Sequence, residues 1–307
     1  MPCILASGML FIILNSVHNH HLLVTGANGQ VGKELRDLAR VYTDYTFSFL
    51  GREDLAIENV EEVRDFFAIA GPTAVINCAA YTAVDKAESE RDLAHLVNAE
   101  AVGILAAVSK EHNARFIHIS TDYVFDGTAI SPYKPSDPTS PVNAYGAGKL
   151  AGEQEAVKHN PLSVIVRTSW VYSAYGKNFV KTMMKLMNEK GELNVVSDQL
   201  GSPTYAADLA EALLQIAVTD QYTPGIFHFC NQGMISWYEF AVEIARLIGS
   251  RCIVHPVPTS AYPTIAKRPA YSVLDTSEIQ SAYNIVPKPW KDSLKICIGR
   301  IEAGGNA

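Results

Sequence analysis

The chain has 307 residues, of which 48 % are apolar, and a formal net charge of -7. That is enough for one large domain or two unequal ones with a sizeable core, and it argues against a nucleic-acid or anionic-membrane surface. Five scattered cysteines (Cys3, Cys78, Cys230, Cys252 and Cys297) without a Cys-x-x-Cys pair suit a reduced, cytoplasmic interior better than a disulfide framework.

The first residues are apolar from Ile4 to Leu14, but no Lys or Arg precedes them and no small-residue cleavage site follows. The run is too short to span a bilayer. Residues 1–20 are therefore read as an extension, poorly ordered or non-native, and His18, His20 and His21 as lacking the acidic or thiol partners of a native metal site.

From there the pattern is regular. His21 to Thr25 reads as a strand ending at a glycine turn, Gly26-Ala27-Asn28-Gly29-Gln30-Val31-Gly32, and Val31 to Arg40 has helical spacing. Strands at Phe47–Leu50, Ala74–Cys78, Arg115–Ser120 and Ser163–Thr168 alternate with helices at Val60–Ala70, Leu93–Glu111 and Ala144–Lys158. Such alternation predicts an α/β fold, a doubly wound parallel sheet of Rossmann type covered on both faces. Residues 21–171 form its dinucleotide-binding domain. Residues 172–307 form mainly a smaller C-terminal α/β substrate domain, with some segments returning to the sheet. Helices are expected there at Asn178–Lys190, Tyr205–Ala217 and Trp237–Ile248, strands at Gly225–Phe229 and Arg251–Val257, and a proline-rich loop region at the end.

Placed between the first strand and first helix, Gly26, Gly29 and Gly32 read as a pyrophosphate cradle, because glycine permits close backbone approach and the helix N-terminus offers free N–H groups. The residue that discriminates cofactors is expected about 20 positions on, at the end of the second strand. The sequence there is Leu50-Gly51-Arg52-Glu53-Asp54-Leu55. An acid such as Asp54 would take the ribose diol of NAD, and Arg52 the 2′-phosphate of NADP. NADPH is slightly favoured over NADH. Ala79 and Ala80, small residues after the third strand, leave room for a nicotinamide ribose.

Tyr145 and Lys149 lie four apart on one helix face. Reducing a ketone needs a hydride and a proton, and a tyrosine beside a lysine can provide the proton. Thr121 can orient the same carbonyl oxygen. Asn98, a poor helix former in mid-helix, is expected to bond a backbone group and seat a water near Lys149.

Gly26 to Gly32 with Asn98, Thr121, Tyr145 and Lys149 resembles the extended short-chain dehydrogenase/reductases. More narrowly, the chain resembles the dTDP-4-dehydrorhamnose reductases, through Ala80 to Glu88 (Ala-Tyr-Thr-Ala-Val-Asp-Lys-Ala-Glu), Ser120 to Gly127 (Ser-Thr-Asp-Tyr-Val-Phe-Asp-Gly), Arg167 to Tyr172, Asp198 to Thr204 and Arg268 to Leu274. The resemblance runs from about Leu22 to the C-terminal region. It implies reduction of the C4 keto group of a dTDP-sugar, dTDP-4-dehydro-β-L-rhamnose, with hydride from NAD(P)H and a proton from Tyr145. It also implies cofactor contacts from Gly29, Gln30, Val31, Leu55, Ala80 and Thr82, and substrate contacts from Val84, Thr121, Asp122 and Trp170. Some members bind Mg²⁺ through glutamates at a dimer contact; the matching stretch here, Ala206-Ala207-Asp208-Leu209-Ala210, does not supply them, so the sequence supports no metal and leaves monomer and homodimer open.

Sister dehydratases carry Thr-Asp-Glu where this chain has Thr121-Asp122-Tyr123, so the elimination lacks its base. Two alternatives remain: a non-catalytic NADP-binding regulatory subunit on the same fold, and a reductase of another dTDP-4-keto-6-deoxyhexose.

Overall fold

A computed structural model describes residues 20–304. Residues 1–19 of the expected extension, His18 among them, lie outside these residues, and its last residue, His20, opens the first strand. The first part of the chain runs β1 (His20–Thr25), α1 (Gln30–Ala39), β2 (Tyr45–Leu50), α2 (Val60–Ala70), β3 (Ala74–Asn77), α3 (Val84–Ala87), α4 (Arg91–His95), α5 (Ala101–Glu111), β4 (Arg115–Thr121), α6 (Ala144–His159) and β5 (Val164–Thr168). Then follow β6 (Val171–Tyr172), α7 (Phe179–Glu189), β7 (Glu192–Val196), β8 (Leu200–Gly201), β9 (Thr204–Tyr205), α8 (Ala206–Val218), β10 (Gly225–His228), β11 (Ile235–Ser236), α9 (Trp237–Leu247), β12 (Ile253–Val257), α10 (Ser277–Tyr283) and α11 (Trp290–Glu302).

Six strands form one parallel sheet in the order β2-β1-β3-β4-β5-β10. Strand side chains alternate between faces. Leu22, Val24 and Ile76 join a core with α1 and α8, while Leu23, Val75 and Phe116 join another with α2 and α5. Both faces are thus apolar, as a covered parallel sheet requires. The final strand, β10, comes from the later half of the chain and pairs with β5, Phe227 beside Val166. A third core gathers α7, α9 and α11 around Phe240, Ile244, Trp290 and Leu294. The small sheets β6–β9, β8–β11 and β7–β12 lie in this later part.

Chain order reverses at β1, which has β2 on one side and β3 on the other. Loops leaving β1 and β3 therefore part company, and the crevice between them is where doubly wound sheets take their ligands.

The helix expected at Leu93–Glu111 begins at Arg91 and is interrupted. Leu96–Glu100 is a π-helical turn between α4 and α5. Such turns accommodate an extra residue and gather at functional sites. Asn98 sits in it. Arg91–Glu111 is 21 residues long and apolar enough by composition to cross a membrane. Here α5 packs between α2 and α6, which gives its apolar surface a partner within the fold.

His20 and His21 belong to β1. His21 has its Nδ1 2.7 Å from Ala70 O and its Nε2 2.9 Å from Ser48 Oγ, a packing role. Among the described residues no group of three or more His, Cys, Asp or Glu side chains is placed to hold a metal ion.

Candidate active site

A cavity of about 860 Å³ opens at the carboxyl ends of β1, β3, β4 and β5. One end is the glycine turn. Gly26 has φ +63°, and a Cβ there would meet Ala79 N at 2.5 Å, so both backbone conformation and the neighbouring loop demand glycine. The N-cap of α1, Gly29, has no side-chain cap, and the first turn carries no acid. Its N–H groups are left to a ligand, and the helix end favours an anionic one. Gln30, Val31 and Gly32 line the same wall.

At the end of β2 the residues diverge. Arg52 and Leu55 line the cavity. The Arg52 guanidinium is 69 % exposed and 3.3 Å from Glu58. Asp54 faces its own turn: its Oδ2 accepts the Gly51 N–H at 2.8 Å, and it is not among the residues that line the cavity. The short turn needs an acceptor for that N–H, and Asp54 is the side chain in reach.

Ala79, Ala80, Thr82 and Val84 form the adjoining wall. Asn98 lies behind it. Its Oδ1 accepts Tyr81 N–H at 2.8 Å and its Nδ2 donates to Tyr81 O at 3.0 Å. Asn98 therefore shapes the loop from Cys78 to Thr82 and does not line the cavity. The backbone bond matches the expectation, and each end of the amide makes one such bond.

Tyr145, Lys149, Thr121 and Asp122 meet at the other end of the cavity. Helix α6 is held at its start by two caps: Asn143 Oδ1 accepts Gly146 N–H at 2.8 Å and Glu88 Oε1 accepts Ala144 N–H at 2.8 Å. This fixes Tyr145 in the first turn. The helix then lies against the π-helical turn so closely that a Cβ on Gly152 would overlap Asn98 O. Burial pushes the Tyr145 hydroxyl up to about 12; the neighbouring Thr121 hydroxyl opposes this and the Asp122 charge adds to it. Tyr123 packs edge-on to Tyr145, ring centroids 5.8 Å apart.

Lys149 is 2 % exposed. Its Nζ lies 3.0 Å from His118 Nε2 and donates to Ile119 O at 2.7 Å. Burial brings the ammonium down to about 8, against the pull of Glu153. Glu153, one turn on, is itself paired with Arg167 at 2.7 Å and accepts from Ser120 Oγ at 2.5 Å. The pair ties α6 to β4 and β5 beneath the site.

Asp122 is 3 % exposed, and burial raises its carboxyl to about 7. Its Oδ1 accepts the Thr121 hydroxyl at 2.9 Å, while its buried Oδ2 has no hydrogen-bond partner among the described residues. A hydroxyl has a single proton. As long as Asp122 is ionised, Thr121 spends that proton on it.

Trp170 has φ +48°, an uncommon backbone for a non-glycine residue. Its indole stacks on Trp237 with centroids 3.5 Å apart and planes 10° apart. A Cβ on Gly201 would meet Trp170 Cε2 at 2.5 Å, which explains a glycine in the Asp198–Thr204 run. The Ala80–Glu88 and Arg268–Leu274 strings also meet: Arg268 pairs with Asp85 at 2.9 Å, and Asp85 Oδ1 accepts Ala266 N–H at 3.0 Å.

Trp237, Gly176, Lys177, Thr168 and Ser169 line the cavity without having been singled out in the sequence. Lys177 follows β6, and Asn178 Nδ2 donates to Gln30 Oε1 at 2.9 Å, which brings that loop to the glycine turn. A lone lysine in an unpatterned loop carries no local signal; Trp237, opening a helix just after Ser236, reads as core.

Fold and cavity together define a Rossmann-type reductase of the extended short-chain class. The family described as RmlD substrate binding domain matches residues 20–303. The dTDP-4-dehydrorhamnose reductase of Aggregatibacter actinomycetemcomitans is 41 % identical over 284 residues, 89 % of this chain and 97 % of that protein. A crystal structure of a dTDP-4-dehydrorhamnose reductase from Clostridium acetobutylicum is 43 % identical and superposes with a TM-score of 0.89 over 92 % of this chain and 99 % of its own. That of the Bacillus anthracis enzyme, in complex with NADP, is 38 % identical with a TM-score of 0.88, covering 92 % and 99 %. The chain belongs to the dTDP-4-dehydrorhamnose reductase family of NAD(P)H-dependent oxidoreductases.

Proposed function

We propose that the chain reduces the C4 keto group of dTDP-4-dehydro-β-L-rhamnose to give dTDP-β-L-rhamnose, in the cytoplasm, with NADPH as the preferred reductant. One observation carries the reading: the uncapped glycine turn and the Tyr145–Lys149–Thr121 set open into a single cavity. The glycine turn, the free N-terminus of α1 and the small wall at Ala79–Ala80 fit a dinucleotide, which when bound supplies the hydride. Arg52, facing the cavity while Asp54 is turned onto Gly51, favours the 2′-phosphorylated form.

Tyr145 donates its proton to the carbonyl oxygen as hydride reaches C4. Its hydroxyl keeps that proton at neutral pH because burial raises its pKa, so the acid is present when needed. The phenolate left behind is favoured by Lys149 when it carries its charge. Thr121 orients the carbonyl oxygen. Protonation of Asp122 lets that carboxyl donate to Thr121 Oγ1, which releases the Thr121 proton toward the substrate. Val84 and the Trp170–Trp237 stack offer the apolar and aromatic surface for the sugar nucleotide. Tyr123 places no carboxylate beside the sugar, so water is not eliminated.

The test is Tyr145→Phe assayed with dTDP-4-dehydrorhamnose and NADPH, with cofactor affinity measured separately. Turnover should fall by about 10²–10⁴-fold with cofactor binding intact. Unchanged turnover would remove Tyr145 from the chemistry. No consumption of NADPH by the native chain would favour a non-catalytic role instead.

A further inference from the structure

A buried polar chain runs beneath Lys149 that the reaction as described does not use. Thr25 Oγ1 donates to Asn77 Oδ1 at 2.6 Å, and the Ala79 N–H reaches the same oxygen at 3.1 Å. Asn77 Nδ2 lies 3.0 Å from His118 Nδ1, and His118 Nε2 lies 3.0 Å from Lys149 Nζ. Thr25, Asn77, His118 and Lys149 are all buried, the two middle residues completely.

Donor and acceptor roles along this chain are forced. A backbone N–H only donates, so the Asn77 atom that meets Ala79 is the oxygen, and the amide nitrogen faces His118. His118 must then accept at Nδ1. Burial above all keeps the ring neutral, so its one hydrogen is on Nε2. That hydrogen points at Nζ. An amine accepts it, whereas an ammonium has no lone pair to offer and would set two donors against each other.

We propose that His118 is a positioning residue that selects by charge: held by Asn77 with its hydrogen on Nε2, it docks the Lys149 amine and turns the ammonium toward the cavity. In the docked arrangement Nζ also donates to Ile119 O at 2.7 Å, a bond that amine and ammonium can both make. Lys149 then meets Tyr145 and any ligand only in its charged form. The other titratable groups around Nζ do not take over this role. Glu153 on α6 is paired with Arg167 on β5. Cys78, after β3, is held protonated, burial pushing its thiol up to about 12. Tyr145, one turn back on α6, is likewise protonated.

The kinetic half of the test rests on the reductase reading; the spectroscopic half does not. With ¹⁵N-labelled histidine in the cofactor-free protein at alkaline pH, the His118 ring, assigned by its loss in His118→Gln, should show a bare Nδ1 and a protonated Nε2. Asn77→Asp replaces the donor with an acceptor and should move the hydrogen to Nδ1. In that variant the ammonium stays on the ring, so kcat should fall and the alkaline limb of its pH profile should move up by about one unit or more, while KM for the sugar nucleotide changes little. A native ring protonated on Nδ1 would overturn the proposal without any variant. So would an inverted tautomer in Asn77→Asp with the pH profile unmoved.

Discussion

Replacing Asp122 by Asn should stabilise the cofactor-free protein at pH 8 and lose that advantage in acid. Asp122 is a buried carboxyl whose pKa rises from 3.8 to about 7, chiefly through burial. Between those values the native state holds a proton that the unfolded state has released, so unfolding stability falls as pH rises. At about 1.36 kcal/mol per unit, the cost is roughly 4 kcal/mol at pH 8 and about 2 kcal/mol at pH 5. The Asn side chain keeps an oxygen for Thr121 but buries an amide without a partner, which costs about 1–3 kcal/mol at either pH. Asp122→Asn should therefore gain roughly 1–3 kcal/mol at pH 8, and the variant's advantage should shrink by about 2–3 kcal/mol on going to pH 5. Urea unfolding of both proteins at the two pH values measures this directly, and Tm should follow at about 2–4 °C per kcal/mol. A stability difference of the same size at both pH values would refute the reasoning, because the burial cost would then not reside in the charge.

Three further outcomes follow from the site. Arg52→Ala should raise KM for NADPH by about 10-fold or more and leave KM for NADH within a few-fold, as loss of a charge-assisted phosphate contact requires; equal effects on both would place Arg52 outside cofactor choice. Gly201→Ala puts a methyl against an indole that is already stacked, so KM for the sugar nucleotide should rise and stability fall by about 1–3 kcal/mol, read by kinetics and urea titration. Arg300→Met strips a partner from Glu34, whose carboxylate is 2 % exposed and 2.6 Å from the guanidinium. Because Arg300 itself is 35 % exposed, the loss should be about 1–3 kcal/mol and not the full cost of a buried pair.

Much of this was legible in the chain itself. Strand and helix alternation gave the parallel sheet because strands buried on both faces, such as Leu22–Leu23–Val24, read as short apolar runs bounded by turns. Gly26, Tyr145 and Lys149 were visible because a glycine turn and a pair one helical turn apart are local patterns, and the fold brings all three to one cavity. The π-helical turn at Asn98 was hidden, since one extra residue hardly alters helical periodicity. That Asp54 holds the Gly51 N–H was not legible, because a carboxylate near a ribose site and one capping its own turn look alike in sequence. His118 reads as one more residue in an apolar strand; only the pairing of β3 with β4 sets it beside Asn77. Two-residue strands such as β6 and β9 carry no pattern at all, and so neither did the loop that brings Lys177 to the cavity.

The ion pair between Glu34 and Arg300 joins the first helix of the sheet to the last helix of the chain; Asp37 and Tyr205 also bond to Arg300. During synthesis those partners are separated by nearly the whole polypeptide. Helix α1, which follows the glycine turn, carries a buried carboxylate that takes the Ser173 hydroxyl but finds its charged partner only in the helix from Trp290 to Glu302. A nascent chain can therefore pair the strands of its sheet before Arg300 exists to meet Glu34, so this one tie on the helix behind the glycine turn forms late.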